Sequence, residues 1–172
     1  VIHGYWGRHM TFEQSYLGQL RAQVGSRPLI AVGGRVLIED DKGRFLIIQR
    51  ADDGLWGLPG GSMELGETLL DVVHREAFEE TNAKLRDVTV FGLSSDPEIE
   101  SHTYPNGDQI QSVSLLVHGF LVHKEVAPDQ SETVAVKFVT PEQIDMARFV
   151  LPERRTFALW QAYQASGHFQ IV

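Results

Sequence analysis

The chain has 172 residues, 42% of them apolar and 22% charged, enough for one domain with a proper core. Fifteen Lys and Arg stand against 23 Asp and Glu, a net charge of −8, which argues against broad nucleic-acid binding because that needs a basic face. The absence of cysteine excludes disulfides and thiolate metal sites, and no apolar run is long enough for a membrane helix. A cytoplasmic protein without a membrane partner is the expectation.

In chain order, "VIHGYWGRHM" has no periodic pattern. Met10 is a candidate natural start, which would make the segment before it a remnant of cloning and leave 11–172 as the domain. Thr11 followed by Gln14 fits a capping box, so "TFEQSYLGQLRAQVG" reads as a short helix closed by Gly25. "LIAVGGRVLIED" and "RFLIIQR" read as strands joined by "DDKG". "LRDVTVFGLSS", "SVSLLVHGFLVH" and "TVAVKFV" read as three more, with Asn106-Gly107 a hairpin signal before the second of these. "TPEQIDMA" begins like a capped helix. "PERRTFALWQAYQAS" reads as a final helix with Pro152 in its first turn and Gly167 past its end. No repeat, low-complexity stretch or linker interrupts this order. The pattern predicts one α/β (α+β) domain built on a mixed sheet.

The segment "GLPGGSMELGETLLDVVHREAFEETNA" carries the chemistry. At roughly 100° per residue, a helix from about Thr68 to Thr81 gathers Leu69, Val72, Val73 and Ala77 on one arc. Glu76 and Glu80 project into that arc and Glu79 lies at its edge. Their spacing makes the three carboxylates neighbours, and like charges that are also partly buried resist ionisation. A divalent cation removes the conflict. Hard Mg²⁺ or Mn²⁺ takes carboxylate oxygens, whereas zinc would want His or Cys. The alternative is a solvated acidic face. Against it stand the glycine turn "LPGG", Glu67 just before the helix, and Arg75, whose planar fork can hold a carboxylate or a phosphate.

Gly61, five residues, Glu67, seven residues, Arg75-Glu76, Ala77, any residue, Glu79-Glu80, any residue, Asn82 and Ala83 resemble the box of the Nudix hydrolase family. Six of the seven fixed positions match; the departure is Asn82 in place of glycine. Asn tolerates the left-handed conformation, so it can still end the helix. The lead-in and the flanking strands resemble a Nudix domain from about Leu29 to Ala147, an α/β/α sandwich.

The resemblance implies a Mg²⁺- or Mn²⁺-dependent pyrophosphohydrolase acting on a nucleoside diphosphate linked to another group. Glu76, Glu79 and Glu80 would bind metal or activate water, the Gly61 carbonyl would add a ligand, and Arg75 and Glu67 would orient loop and helix. Many family members place the catalytic base on a later loop, where Glu132 is the candidate. Pro97, past the box, resembles a proline of members that cleave ADP-ribose; nucleotide sugars, nucleoside triphosphates and dinucleoside polyphosphates are the other substrate classes. A homodimer follows family habit. Trp56 is assigned to the core rather than to base stacking, and His118 and His123 to structural or surface roles. Two competing readings are a catalytically silent Nudix-fold binding module, which would be expected to lose box glutamates, and a prenyl diphosphate isomerase, which would want a cysteine.

Overall fold

The computed structural model describes residues 11–104, 106–123 and 125–172, so the reading of Met10 as a start lies outside the described residues. The strands predicted from β-branched runs form the backbone of the sheet: β1 (Leu29–Glu39), β2 (Phe45–Arg50), β5 (Leu85–Ser94), β7 (Gln109–Leu121) and β8 (Thr133–Val139). Four shorter strands join them: β3 (Trp56–Gly57), β4 (Gly60–Ser62), β6 (Ser101–Thr103) and β9 (Gln170–Ile171). The order is β3-β2-β1-β7-β5-β9, with β8 on β2, β4 on β1 and β6 on β7. β1 runs parallel to β7 and β9 parallel to β5; the other pairs are antiparallel, so the sheet is mixed.

Side-chain alternation along the strands gives the sheet two apolar faces. Leu37, Phe45, Ile47, Phe91 and Leu116 pack with Phe157 and Trp160 of the helix α4 (Thr156–Ser166). Val36, Ile38, Leu46 and Val117 pack with Val73 and Ala77 of the helix α2 (Leu69–Thr81). The sheet is thus sandwiched between α2 and α4. Burial of Val72 and Val73 is complete, worth about 1.5–3 kcal/mol each, and it anchors the inner face of α2. No helix among the described residues is long and apolar enough to cross a membrane.

Several ends differ from the sequence expectation. The Thr11–Gln14 box closes only the 3-10 turn Phe12–Gln14, where Gln14 Oε1 accepts the Thr11 N–H. The chain then kinks so tightly that a Cβ on Gly18 would lie 1.8 Å from the Phe12 carbonyl oxygen. The helix α1 (Tyr16–Val24) is therefore capped afresh by Ser15, whose Oγ accepts the Gly18 N–H at 3.0 Å. "TPEQIDMA" forms two 3-10 turns, Pro141–Gln143 and Met146–Arg148, instead of a helix. Pro152 sits in a 3-10 turn, Leu151–Glu153, ahead of α4, while Gly167 ends α4 in the left-handed conformation as expected. The segment before Asn106-Gly107, to which the sequence pattern assigns no element, contains the short helix α3 (Pro97–Glu100), capped by Asp96, and then β6. The Asn106-Gly107 tip joins β6 to β7, with Gly107 at φ 87° donating to the Tyr104 carbonyl.

Candidate active site

Helix α2 presents the box carboxylates. Thr68 caps it, in a reciprocal arrangement with Asp71 that satisfies backbone donors at the first turn. At the other end Asn82 adopts φ 57°, ψ 16°, and its N–H reaches back to the Ala77 and Phe78 carbonyls. The one departure from the box therefore keeps the left-handed cap that the glycine would supply.

Opposite α2 lies β4. Its register puts Gly61 against Gly34 and Gly60 against Arg35, and the Val36 N–H bonds to the Pro59 carbonyl. Backbone groups of 59, 61 and 63 therefore turn towards β1, and those of 60 turn the other way. The Gly60 N–H donates to Glu80 Oε2 at 3.0 Å. A Cβ on Gly61 would lie 2.1 Å from Glu76 Oε1, so only glycine lets that carboxylate rest on the strand. Gly61→Ala should leave the protein folded and lower kcat at least about tenfold, because misplacing a reacting group by ~1 Å costs up to about 10²-fold. Wild-type turnover in that variant would remove Glu76 from the chemistry. The Gly61 carbonyl oxygen, in contrast, lies against β1, where a Cβ on Gly33 would come within 2.1 Å of it.

Arg75 ties these parts together. Its guanidinium grips Glu67 with both branches (2.6 and 3.0 Å) and donates to Glu76 Oε1 (2.7 Å), Glu79 Oε2 (3.1 Å) and the Ser62 carbonyl (3.0 Å). Arg75 is thus saturated by protein oxygens, and Glu67 also accepts the Glu64 N–H. These bonds tie the 62–67 loop to α2. Glu64 in turn accepts the Tyr16 N–H at 2.8 Å, latching α1 to the box loop.

Burial raises the Glu76 carboxyl to about 7, against the opposing pull of Arg75 and helped by Glu79 and Glu132. Burial, and then the Glu76 charge, push Glu80 well above the ordinary range as well. The folded protein therefore binds protons here that the unfolded chain has released, so this contribution to stability is lost as pH rises from about 4.5 through about 7. His74 and His118, both lowered by burial, act in the opposite sense over part of that range. They cancel when variants are compared. In EDTA, Glu76→Gln should melt close to wild type at pH 5 and several degrees above it at pH 8, which a melting series across pH checks.

Among the described residues no three His, Asp or Glu side chains already stand in metal-binding geometry. The bonds just described occupy Glu76 Oε1, Glu79 Oε2 and Glu80 Oε2, and the second oxygen of each carboxylate takes no part in them. An all-oxygen donor set, two of whose members resist ionisation because they are buried beside like charge, fits a hard divalent cation.

The carboxylates open into a cleft of about 1440 Å³ that also takes in α1 and the residues Tyr104, Asn106 and Asp108. Glu132 lies exposed in this cleft, and its charge acts on both Glu76 and Glu80. Its backbone is fixed by the Ala51 N–H on its carbonyl and by Asp129 on its N–H. Trp56 does not line the cleft; it packs half-buried on the α4 side of the core, with Lys137 Nζ 4.0 Å from its ring centroid. His118 is buried, hydrogen-bonded to Glu39 Oε2 at 2.7 Å and stacked on Trp160. His123 is half-buried beyond the end of β7. Pro97 opens α3, whose Glu100 forms a buried ion pair with Arg35 at 2.6 Å. Sequence reasoning overlooked the Gly60 N–H, Glu64 and the cleft residues Arg50 and Tyr104; only the "LPGG" glycines signalled the first.

Residues 30–161 match the NUDIX domain family model. A MutT-like protein of Streptomyces ambofaciens is 34% identical over 115 residues, 67% of this chain and 66% of that protein, so the chain spans just under two thirds of its length. A nucleoside triphosphatase, NudI, of Escherichia fergusonii is 27% identical over 130 residues, covering 72% of this chain and 91% of NudI. An ADP-ribose pyrophosphatase from Streptococcus suis superposes with a TM-score of 0.61 at 24% identity, over 85% of this chain and all of that one. The Glu67–Arg75 clamp, the Gly60–Gly61 strand and the three α2 carboxylates lie within the matched region, and the chain belongs to the NUDIX family of hydrolases, which act on pyrophosphate bonds.

Proposed function

We propose that this chain is a Mg²⁺- or Mn²⁺-dependent pyrophosphohydrolase of a nucleoside diphosphate linked to another group. The observation that carries the reading is the charge of the cleft. Among the described residues, nine Asp and Glu side chains line it against three arginines. Each arginine is already engaged: Arg75 with the box carboxylates, Arg50 with Asp52, and Arg21 with the Gly25, Arg27 and Gln109 carbonyls. A diphosphate meets no unengaged cation among them, and bound metal would supply the positive charge.

Glu76, Glu79 and Glu80 would hold the metal, with α2 fixing their spacing and Arg75 fixing the first two. Of the backbone carbonyls, that of Gly61 is turned to β1, and that of Gly60, on the strand edge whose N–H meets Glu80, is the better placed to add a ligand. When bound, the metal would neutralise phosphate oxygens and lower the pKa of water. Glu132, exposed in the cleft on the β8 side, would accept the proton of the attacking water as general base. The intact carboxylate set favours this over a silent binding module.

The test is product release from a panel with Mg²⁺: ADP-ribose, nucleotide sugars, the nucleoside triphosphates and a diadenosine polyphosphate. The reading expects at least one to be cleaved, with EDTA abolishing turnover. Metal binding without cleavage of any of them would favour the silent module.

A further inference from the structure

A second carboxylate reaches the Leu58–Gly60 segment from the far end of the chain. Glu153 Oε2 accepts the Leu58 N–H at 2.5 Å. Because Pro59 and Gly61 face β1, the N–H groups of Leu58 and Gly60 both point to the opposite edge, where no strand among the described residues pairs with them. Glu153 takes one and Glu80 takes the next. The same C-terminal stretch holds the segment once more, by the Val150 N–H on the Trp56 carbonyl at 2.8 Å, and it packs so closely that a Cβ on Gly57 would lie 2.7 Å from Glu153 Oε2. Beneath it, Arg35 is buried against Glu100, and burial raises the Glu153 carboxyl to about 7 against the opposing pull of Arg35 and Arg50.

We propose that Glu153 is a positioning residue for the metal site. It touches no reacting atom. By fixing Leu58 it fixes the next outward amide, Gly60, and through that hydrogen bond the direction of the Glu80 carboxylate. A hydrogen bond from a backbone N–H to a carboxyl oxygen is directional, and an apolar side chain of the same size would fill the space without holding the amide. The effect on turnover rests on the hydrolase reading; the effect on metal affinity does not.

The test compares wild type, Glu153→Ala and Glu153→Gln in full-length protein by three readouts. These are kcat and KM with Mg²⁺ on the cleaved panel compound, Mn²⁺ affinity by calorimetry without substrate, and the melting temperature. Loss of a partner that orients a metal ligand typically costs about 10–100-fold in affinity or activity. Glu153→Ala should weaken Mn²⁺ binding about tenfold and lower kcat about tenfold with KM little changed. Glu153→Gln, whose amide oxygen can still accept the Leu58 N–H, should recover most of both. A fall in melting temperature alone, with Mn²⁺ affinity and kcat at wild-type values, would overturn the proposal. So would equal losses in the Ala and Gln variants at equal melting temperature. Should Glu153→Ala fail to fold, Gly57→Ala displaces the same carboxylate and should weaken Mn²⁺ binding likewise; unchanged affinity there contradicts the proposal. Absence of turnover in wild type would sink the hydrolase reading while leaving the Mn²⁺ comparison to decide this one.

Discussion

Glu80→Gln should lower kcat by about 10²–10³-fold while the melting temperature stays at or above that of wild type. The loss in rate follows from removing a preorganised charge at a site where positive charge is to be held, a class of change that costs about 3–4 kcal/mol in transition-state stabilisation. The stability follows from local chemistry. Glu80 is buried, its carboxyl is pushed up by burial and by Glu76, and among the described residues it accepts a hydrogen bond from the Gly60 N–H. A glutamine oxygen keeps that bond and removes the like-charge repulsion. Kinetics and melting measured on one preparation separate the two effects. A rate within threefold of wild type would exclude Glu80 from catalysis.

Arg75→Ala should be the most destabilising single change in the box, costing about 3–5 kcal/mol in metal-free protein. Glu67, Glu76 and Glu79 are each at least three-quarters buried, and all three lose their only guanidinium partner among the described residues. Removing one member of a buried ion cluster leaves uncompensated charge, which is far costlier than the cluster was worth. At this chain length the loss corresponds to roughly 10 °C in melting temperature. Added Mn²⁺ should restore part of it, by supplying positive charge to Glu76 and Glu79. Arg75→Lys should fall in between, since a point charge cannot replace a fork that meets Glu67 with two bonds. A melting temperature unchanged in Arg75→Ala would show that the cluster carries no net stability.

Much of this was legible in the sequence, for definable reasons. Helical spacing placed Glu76 and Glu80 on the inner arc of α2, because that arc is set by Val72, Val73 and Ala77 through covalent periodicity alone. The left-handed cap at Asn82 followed from side-chain chemistry. What escaped were features created by tertiary contact. β4 consists of three small residues with no β signal, and it exists as a strand because β1 pairs with it. The direction of the Gly61 carbonyl depends on that register, which no local pattern encodes. The N-terminal helix is capped at Ser15 rather than Thr11 because the chain turns at the extended Ser15 and brings the Phe12 carbonyl against Gly18, so the Thr11–Gln14 box serves a single 3-10 turn. Glu153 lies 95 residues from the amide it holds, and nothing in its neighbourhood distinguishes it from a surface glutamate.

If the α2 carboxylates hold a divalent cation, a Mn²⁺ titration followed by the paramagnetic resonance of the free ion will register it. Wild type should deplete the free signal through at least one site. The variant carrying Glu76→Gln, Glu79→Gln and Glu80→Gln together should deplete none of it while melting no lower than metal-free wild type. Mn²⁺ binding by the folded triple variant as tight as that of wild type, or no binding by either protein, would contradict the account.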